Sequence, residues 1–341
     1  MTSGILINLG IFLVAAVVIG IVGTRLTRLA DRLADKTGLG EAIVGAVLLG
    51  GSTSLPGIVA SVSAAWGGHA ELAVSNALGG IAAQTAFLAI ADAVYRRANL
   101  EHAAASVPNL MQSALLVVML AQPILASSAP AFTLLQIHPI SILMLATYSY
   151  GLRLIAQAKE KPMWGPRRTN ETQMDDDEEE LSGSSSLTSL WTRFALYALI
   201  LGVAGYGVAQ SGINLATLTG ISESAVGALF TAISTSLPEL VTAIAAVRQG
   251  ALTLAMGDII GGNSFDVLFL AFSDMAYRQG SVYHAITQRE TFLIALTILM
   301  TTILLLGLLR REKYGIANIG LESFLIIVLY LGGALFLVTV R

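Results

Sequence analysis

Ser234-Thr235-Ser236-Leu237-Pro238-Glu239 lies in the middle of a long apolar run, and Ser52-Thr53-Ser54-Leu55-Pro56-Gly57 lies in another, 182 positions earlier. At the same offset residues 38–96 align with 220–278 without a gap, and 23 of the 59 positions are identical. The matches include Gly79-Gly80 with Gly261-Gly262, and Asp92, Tyr95 and Arg96 with Asp274, Tyr277 and Arg278. Such a repeat reads as one unit duplicated within the chain.

The solvent for that unit follows from composition. Hydrophobic residues make up 55% of the 341 and charged residues 12%, against about a quarter charged in soluble domains. Mean hydropathy is +0.75. Ten apolar segments can be marked, at 4–23, 40–65, 71–95, 108–126, 133–155, 190–210, 222–247, 251–277, 288–309 and 316–339. Each approaches or exceeds the about 20 residues that cross a bilayer. The reading is an all-α integral membrane protein of ten transmembrane helices. Residues 1–156 form a first five-helix repeat and 190–341 a second. Residues 157–189 form a polar linker with the acidic run 175–180 and the serines 182–186. Five helices is an odd number, so the second copy is inverted, the arrangement of alternating-access transporters with a site between the halves. The first segment has no Lys or Arg before it, and Arg25, Arg28 and Arg32 follow it. That order predicts a retained helix rather than a cleaved signal.

Charge supplies a test of the count. If loops alternate between two sides, one side takes 16 of the 19 Lys and Arg residues and the other keeps only Arg278, Arg289 and Arg341. The positive-inside rule then places the linker in the cytoplasm and both termini outside. Net charge is −3 and cysteine is absent, so a nucleic-acid partner and thiolate metal sites are not expected. There is no phosphate-binding glycine loop, nucleophile elbow or paired-His metal motif. An enzyme, a bound cofactor or ATP drive is therefore not expected. The partners are the bilayer and inorganic cations.

The chemistry concentrates at the repeated motif. Proline lacks an N–H and its ring collides with the carbonyl four residues back. Pro56 should thus release the Ser52 carbonyl from its helical bond, and Pro238 that of Ser234, breaking the second and seventh segments at mid-membrane. Such carbonyls need a cavity or an ion. With the hydroxyls of Thr53, Ser54, Thr235 and Ser236 they form a set of hard oxygens suited to sodium, calcium or magnesium. An ordinary proline kink with back-bonded hydroxyls is the competing reading. Glu239 sits near mid-span, and Asp258 and Asp266 lie eight residues apart on the eighth segment, a spacing read as one helix face. Intramembrane carboxylates cost at least about 2.5 kcal/mol each and mark function by default. Their first-half equivalents are Gly57, Asn76 and Gln84, so the acid chemistry is confined to the second half. Asn263 and Ser264 could add oxygens, and the double glycines should let helices pack closely. Asp92 and Asp274 are expected to pair with Arg96 and Arg278. The four histidines, His69, His102, His138 and His284, read as structural or solvated. The acidic run 175–180 reads as a solvated linker, with a cytosolic calcium sensor as its alternative.

These residues resemble the cation/calcium exchanger superfamily, which includes the sodium/calcium exchangers. Its two alpha-repeats carry Gly-Thr-Ser-Leu-Pro-Glu and Gly-Ser-Asn-x-Phe-Asn/Asp. Here the second repeat reads Ser234 to Glu239 and then Gly261-Gly262-Asn263-Ser264-Phe265-Asp266, while the first ends in Gly57 and reads Gly79-Gly80-Ile81-Ala82-Ala83-Gln84. The resemblance implies a midplane site where calcium and sodium compete, with ligands from Glu239, Asp266, Thr53, Thr235, Ser54, Ser236 and Gln84. Gly57 stands where the family has a carboxylate central to calcium binding. Two carboxylates neutralise one divalent ion, so fewer sodium ions, or a proton at Glu239, would serve as counter-ion. The expected function is secondary antiport of Ca2+ against Na+ or H+. Exchange of Mg2+ or a monovalent cation is one alternative. The other is a channel or non-transporting sensor derived from the family.

Overall fold

In a computed structural model, which describes residues 2–37, 50–95, 98–167, 169, 186–315 and 319–339, every named element is a helix. In chain order these are α1 (Thr2–Thr37), α2 (Leu55–Trp66), α3 (Ala70–Val94), α4 (Leu100–Ala103), α5 (Val107–Ser128), α6 (Pro139–Glu160) and α7 (Leu187–Thr219). The second half continues with α8 (Glu223–Thr235, including a π-helical turn at Val226–Thr231), α9 (Leu237–Gln249), α10 (Leu252–Asp266), α11 (Leu268–Ala276), α12 (Val282–Ala285), α13 (Gln288–Arg310) and α14 (Leu321–Thr339). Among the described residues eight spans are long and apolar enough to cross a membrane, α10 and α11 together forming one of them, and the pair α8 and α9, bent by 48°, makes a ninth when counted as one span. Of the second predicted segment, α2 and the helical residues 50–53 are described, and 38–49 lie outside the described residues. So do most of the linker, including the acidic run 175–180, and Arg96.

Local chemistry explains the element ends. Ser106, Ser186 and Ser222 cap α5, α7 and α8 by accepting a backbone N–H, and Thr287 with Glu290 forms a capping box on α13. Pro56 and Pro238 fall in the first turn of α2 and α9, after a break at Ser54 (φ −82°, ψ −4°) and Ser236 (φ −97°, ψ 10°). At a first turn the missing N–H costs nothing, so each proline restarts a helix instead of kinking one. The helices of the first and sixth segments run past their apolar stretches, α1 through Arg25, Arg28 and Arg32 and α7 through Ser211, Asn214 and Thr217.

α3 is the centre of the bundle, with 94% of its apolar window buried, against 17% for α1 and α7. The outer pair crosses the two breaks. A Cβ on Gly23 of α1 would lie 2.4 Å from Pro238 Cγ, and one on Gly205 of α7 would lie 2.5 Å from the Pro56 carbonyl oxygen. Gly23 and Gly205 are themselves 182 positions apart. Each half thus lays its long first helix over the other half's proline, which only glycine permits at that distance.

The repeat also continues beyond the stretch legible in sequence. Asp92 accepts from the Leu100 amide (2.6 Å) and the Gly320 amide (2.8 Å). Asp274 accepts from the Val282 amide (3.0 Å) and the His138 amide (2.7 Å). All three pairs, Asp92 and Asp274, Leu100 and Val282, His138 and Gly320, keep the offset of 182. Each aspartate ties the short helix that follows its own to the start of the last helix of the other half. This corrects the expected pairing of Asp274 with Arg278, which turns instead to Gln136 (3.4 Å) and the Trp66 ring. Two buried amides without any other acceptor make the stronger claim on a carboxylate than an exposed guanidinium does.

Candidate ion-binding site

The breaks at Ser54 and Ser236 bring both halves to one buried cluster between α2, α3, α8, α9 and α10. Ser54 donates from Oγ to Asp266 Oδ1 at 2.5 Å, and Gln84 donates from Nε2 to Asp266 Oδ2 at 2.6 Å and to Ser236 Oγ at 3.1 Å. Four residues that the repeat pattern singled out, two from each half, therefore form one hydrogen-bonded group. Glu239 faces the same group, 6% exposed, with Thr53 directed at its carboxylate. Gly80 stands against Ser236 Oγ and Gly262 against Gln84 Oε1, each 3.5–3.6 Å from where a Cβ would be. The second glycine of each pair thus lines the site. The first glycine packs: a Cβ on Gly79 would lie 2.3 Å from the Ala228 backbone.

Two oxygens of this cluster have no hydrogen-bond partner among the described residues, Gln84 Oε1 and Glu239 Oε2, and Asn263 Oδ1 beside it is a third. Buried acceptors without donors cost about 1–3 kcal/mol each. A hard cation satisfies such oxygens where a protein donor is lacking. The donor set fits a small cation on that ground. It is also sparse in charge, since among the described residues no three His, Cys, Asp or Glu side chains converge.

Other expected residues fall elsewhere. Asp258 is exposed on α10 while Asp266 is 2% exposed. Eight residues turn a helix by two full turns and about 80° more, so they do not share a face. The Thr235 hydroxyl donates back to the Ala232 carbonyl (3.1 Å), the local bond open to mid-helix threonines, whereas the single Thr53 proton has two acceptors in reach, the Gly50 carbonyl (3.0 Å) and the Glu239 carboxylate. Ser52 and Ser234 are buried beside the breaks. Asn76 is engaged on all sides, donating to Ser61 Oγ (2.9 Å) and the Gly57 carbonyl (3.3 Å) and accepting from Thr231 (2.8 Å). It braces the π turn of α8 against α3. Asn263 donates to Thr85 (3.0 Å).

Gly57 is more than a lost carboxylate. A Cβ there would lie 2.6 Å from Phe269 Cε2, on a ring 3% exposed and edge-on to Phe265. Any side chain at this position requires the Phe269 ring to move. Sequence reading also passed over Tyr148, a buried α6 residue that packs edge-on against Phe265 and lies in the field of Asp266. No motif spacing marks a residue that reaches the site from a helix outside the repeated stretch.

The chain is 29% identical over 246 residues, 72% of each chain, to the inner membrane protein YrbG of Escherichia coli. It is 29% identical over 136 residues, 39% of this chain and 38% of the other, to the sodium/calcium exchanger MaX1 of Methanosarcina acetivorans. The fold is shared with an H+/Ca2+ exchanger, CAX (TM-score 0.68, 14% identity, covering 96% of this chain and 82% of the other). It is shared as well with the sodium-calcium exchanger NCX_Mj (TM-score 0.58, 17% identity, 99% and 100% covered). A model of the family described as sodium/calcium exchanger protein matches residues 7–155 and 189–339, nearly all of both halves. The chain belongs to the sodium/calcium exchanger protein family, a family of transporters and not of enzymes.

Proposed function

We propose that this protein is a secondary antiporter that exchanges Ca2+ for Na+ or H+ by alternating access at the cluster around Asp266. The observation that carries the reading is the crossing of halves at one carboxylate. Asp266 of the second half is held by Ser54 and Gln84 of the first, so occupancy of the site and the relative position of the halves are coupled. Glu239 Oε2 and Gln84 Oε1 are the oxygens left for the ion, and Asp266 would exchange its hydrogen bonds for it. Two carboxylates balance one Ca2+, two Na+, or two protons. Binding of either class at the same oxygens makes the exchange competitive. In this reading the linker lies in the cytoplasm and both termini outside, which groups the basic loops on one side.

The shortage of charge favours a second reading, exchange of Mg2+ or a monovalent cation, since Ca2+ takes six to eight oxygens and usually several carboxylates. Reconstituted liposomes separate them. Calcium uptake should follow an imposed sodium or proton gradient and reverse with it. Uptake indifferent to both gradients would identify a channel and end the antiport reading, and gradient-driven uptake of Mg2+ or K+ in place of calcium would transfer it to the second.

A further inference from the structure

The linker end of the molecule holds a buried carboxylate that the ion site does not use. Glu101, on the short helix α4 between spans, is 2% exposed. Its Oε1 accepts from Ser323 of α14 at 2.6 Å, and its Oε2 has no partner among the described residues. A Cβ on Gly320 would come within 2.9 Å of Oε2, so that oxygen is aimed into the junction of α4 with the start of α14.

The charged groups around it come from every neighbouring element. At the end of α3 lies Asp92, both of whose oxygens accept amides. On α14 lies Glu322, reached by Arg310 of α13 at 3.4 Å, while Arg310 also pairs with Glu312 at 3.2 Å. Within α4 itself, His102 is directed to the Arg311 carbonyl and to Thr169 of the linker. Arg311 turns to the carbonyls of His102 and Arg167, and Lys313 stands over the Tyr314 ring. Among the described residues these contacts aim Arg310, Arg311 and Lys313 at other groups, and the pocket of Glu101 is shared with another carboxylate, Asp92.

The other half shows what this position holds when no second acid is present. At the offset of 182, Ser323 corresponds to Ser141 and Glu101 to Tyr283. Ser141 donates to Asp274 at 2.7 Å and shares a hydrogen bond with the Tyr283 hydroxyl at 2.9 Å. The same triad is therefore built twice, aspartate, serine and a third member, and in one copy that member is a neutral phenol.

We propose that Glu101 is a proton-binding site, separate from the ion site, which locks α4 and α14 to the end of α3 when protonated and loosens that lock when ionised. With its proton, Glu101 is the neutral counterpart of Tyr283. Without it, two carboxylates occupy one buried pocket. Burial first, and the charge of Asp92 second, push Glu101 from its usual 4.5 to about 7. A carboxyl that holds its proton more tightly in the packed form favours that form at low pH. The advantage is lost as pH rises from about 4.5 to about 7 and does not change further above it. Across that window the balance between packed and loosened forms should shift roughly a hundred-fold.

Hydrogen exchange on the full chain in lipid nanodiscs, without transported cations, tests this apart from any transport activity. The Leu100 and Gly320 amides, both bound to Asp92, report the lock. After correction for intrinsic exchange, their protection should fall as pH rises from 5 to 8 in the wild type and stay level in Glu101→Gln. Should that variant fail to fold, Glu101→Tyr, which installs the side chain of the opposite half, takes its place. Wild-type protection that is flat with pH overturns the proposal without any variant. So does a wild-type slope that persists in the substituted protein.

Discussion

Replacing Gly57 by Glu supplies the carboxylate that the resemblance to the exchangers implies at this position, and the structure predicts that it fails alone. The new Cβ would sit 2.6 Å from Phe269 Cε2. The ring is held by burial and by Phe265, with ring centroids 6.5 Å apart, so it cannot swing into open space. Overpacking of this kind costs about 1–3 kcal/mol, and the buried carboxylate adds its own desolvation. Phe269→Ala alone should cost about 3–5 kcal/mol by leaving a cavity. Together the two changes relieve each other, because the cavity accepts the glutamate. A third carboxylate about 4 Å from a divalent ion gains about 8 kcal/mol of gross attraction at an effective dielectric of 20. Desolvation and repulsion from Glu239 and Asp266 offset most of that, leaving a net gain of about tenfold in calcium affinity, or about 1.4 kcal/mol. The assay is a double-mutant cycle of wild type, Gly57→Glu, Phe269→Ala and the pair, each measured for thermal stability and calcium binding in detergent. Single Gly57→Glu should be destabilised without binding calcium more tightly. Tighter binding by that variant at unchanged stability would refute the role given to Phe269.

Three further outcomes follow from the same contacts. Glu239→Gln and Asp266→Asn should each abolish cation-driven flux in liposomes while the protein still folds, since both are near-isosteric, and wild-type flux in either would place the site elsewhere. Gly79→Val should prevent assembly of α3 against α8, because even its Cβ would lie 2.3 Å from the Ala228 backbone; a monodisperse, folded variant would contradict that packing. Asp274→Ala strands the Val282 and His138 amides, at about 1–3 kcal/mol each, so a thermal melt should show a loss of several kcal/mol, whereas Arg278→Ala should change stability by less than about 1 kcal/mol.

What the sequence by itself determined is what depends on near neighbours or on counting. Hydropathy marked the spans, because lipid forces each helix to be apolar over its own length. The prolines of the two Ser-Thr-Ser-Leu-Pro motifs located the breaks, because a missing N–H acts within one turn. The offset of 182 revealed the duplication and paired Ser54 with Ser236 and Gln84 with Asp266. Tertiary structure decided which faces meet. It put Asp266 at the centre and Asp258 outside, although both lie on α10, because a small over-rotation per turn accumulates along a helix. It filled the space beside Gly57 with Phe269, from the other half of the chain, and gave Asp274 to two distant amides rather than to the arginine four residues on. Sequence spacing describes a helix as an isolated cylinder. Which oxygens the neighbouring helices leave unsatisfied is decided only by their packing, and in this cluster it is one each on Gln84, Glu239 and Asn263.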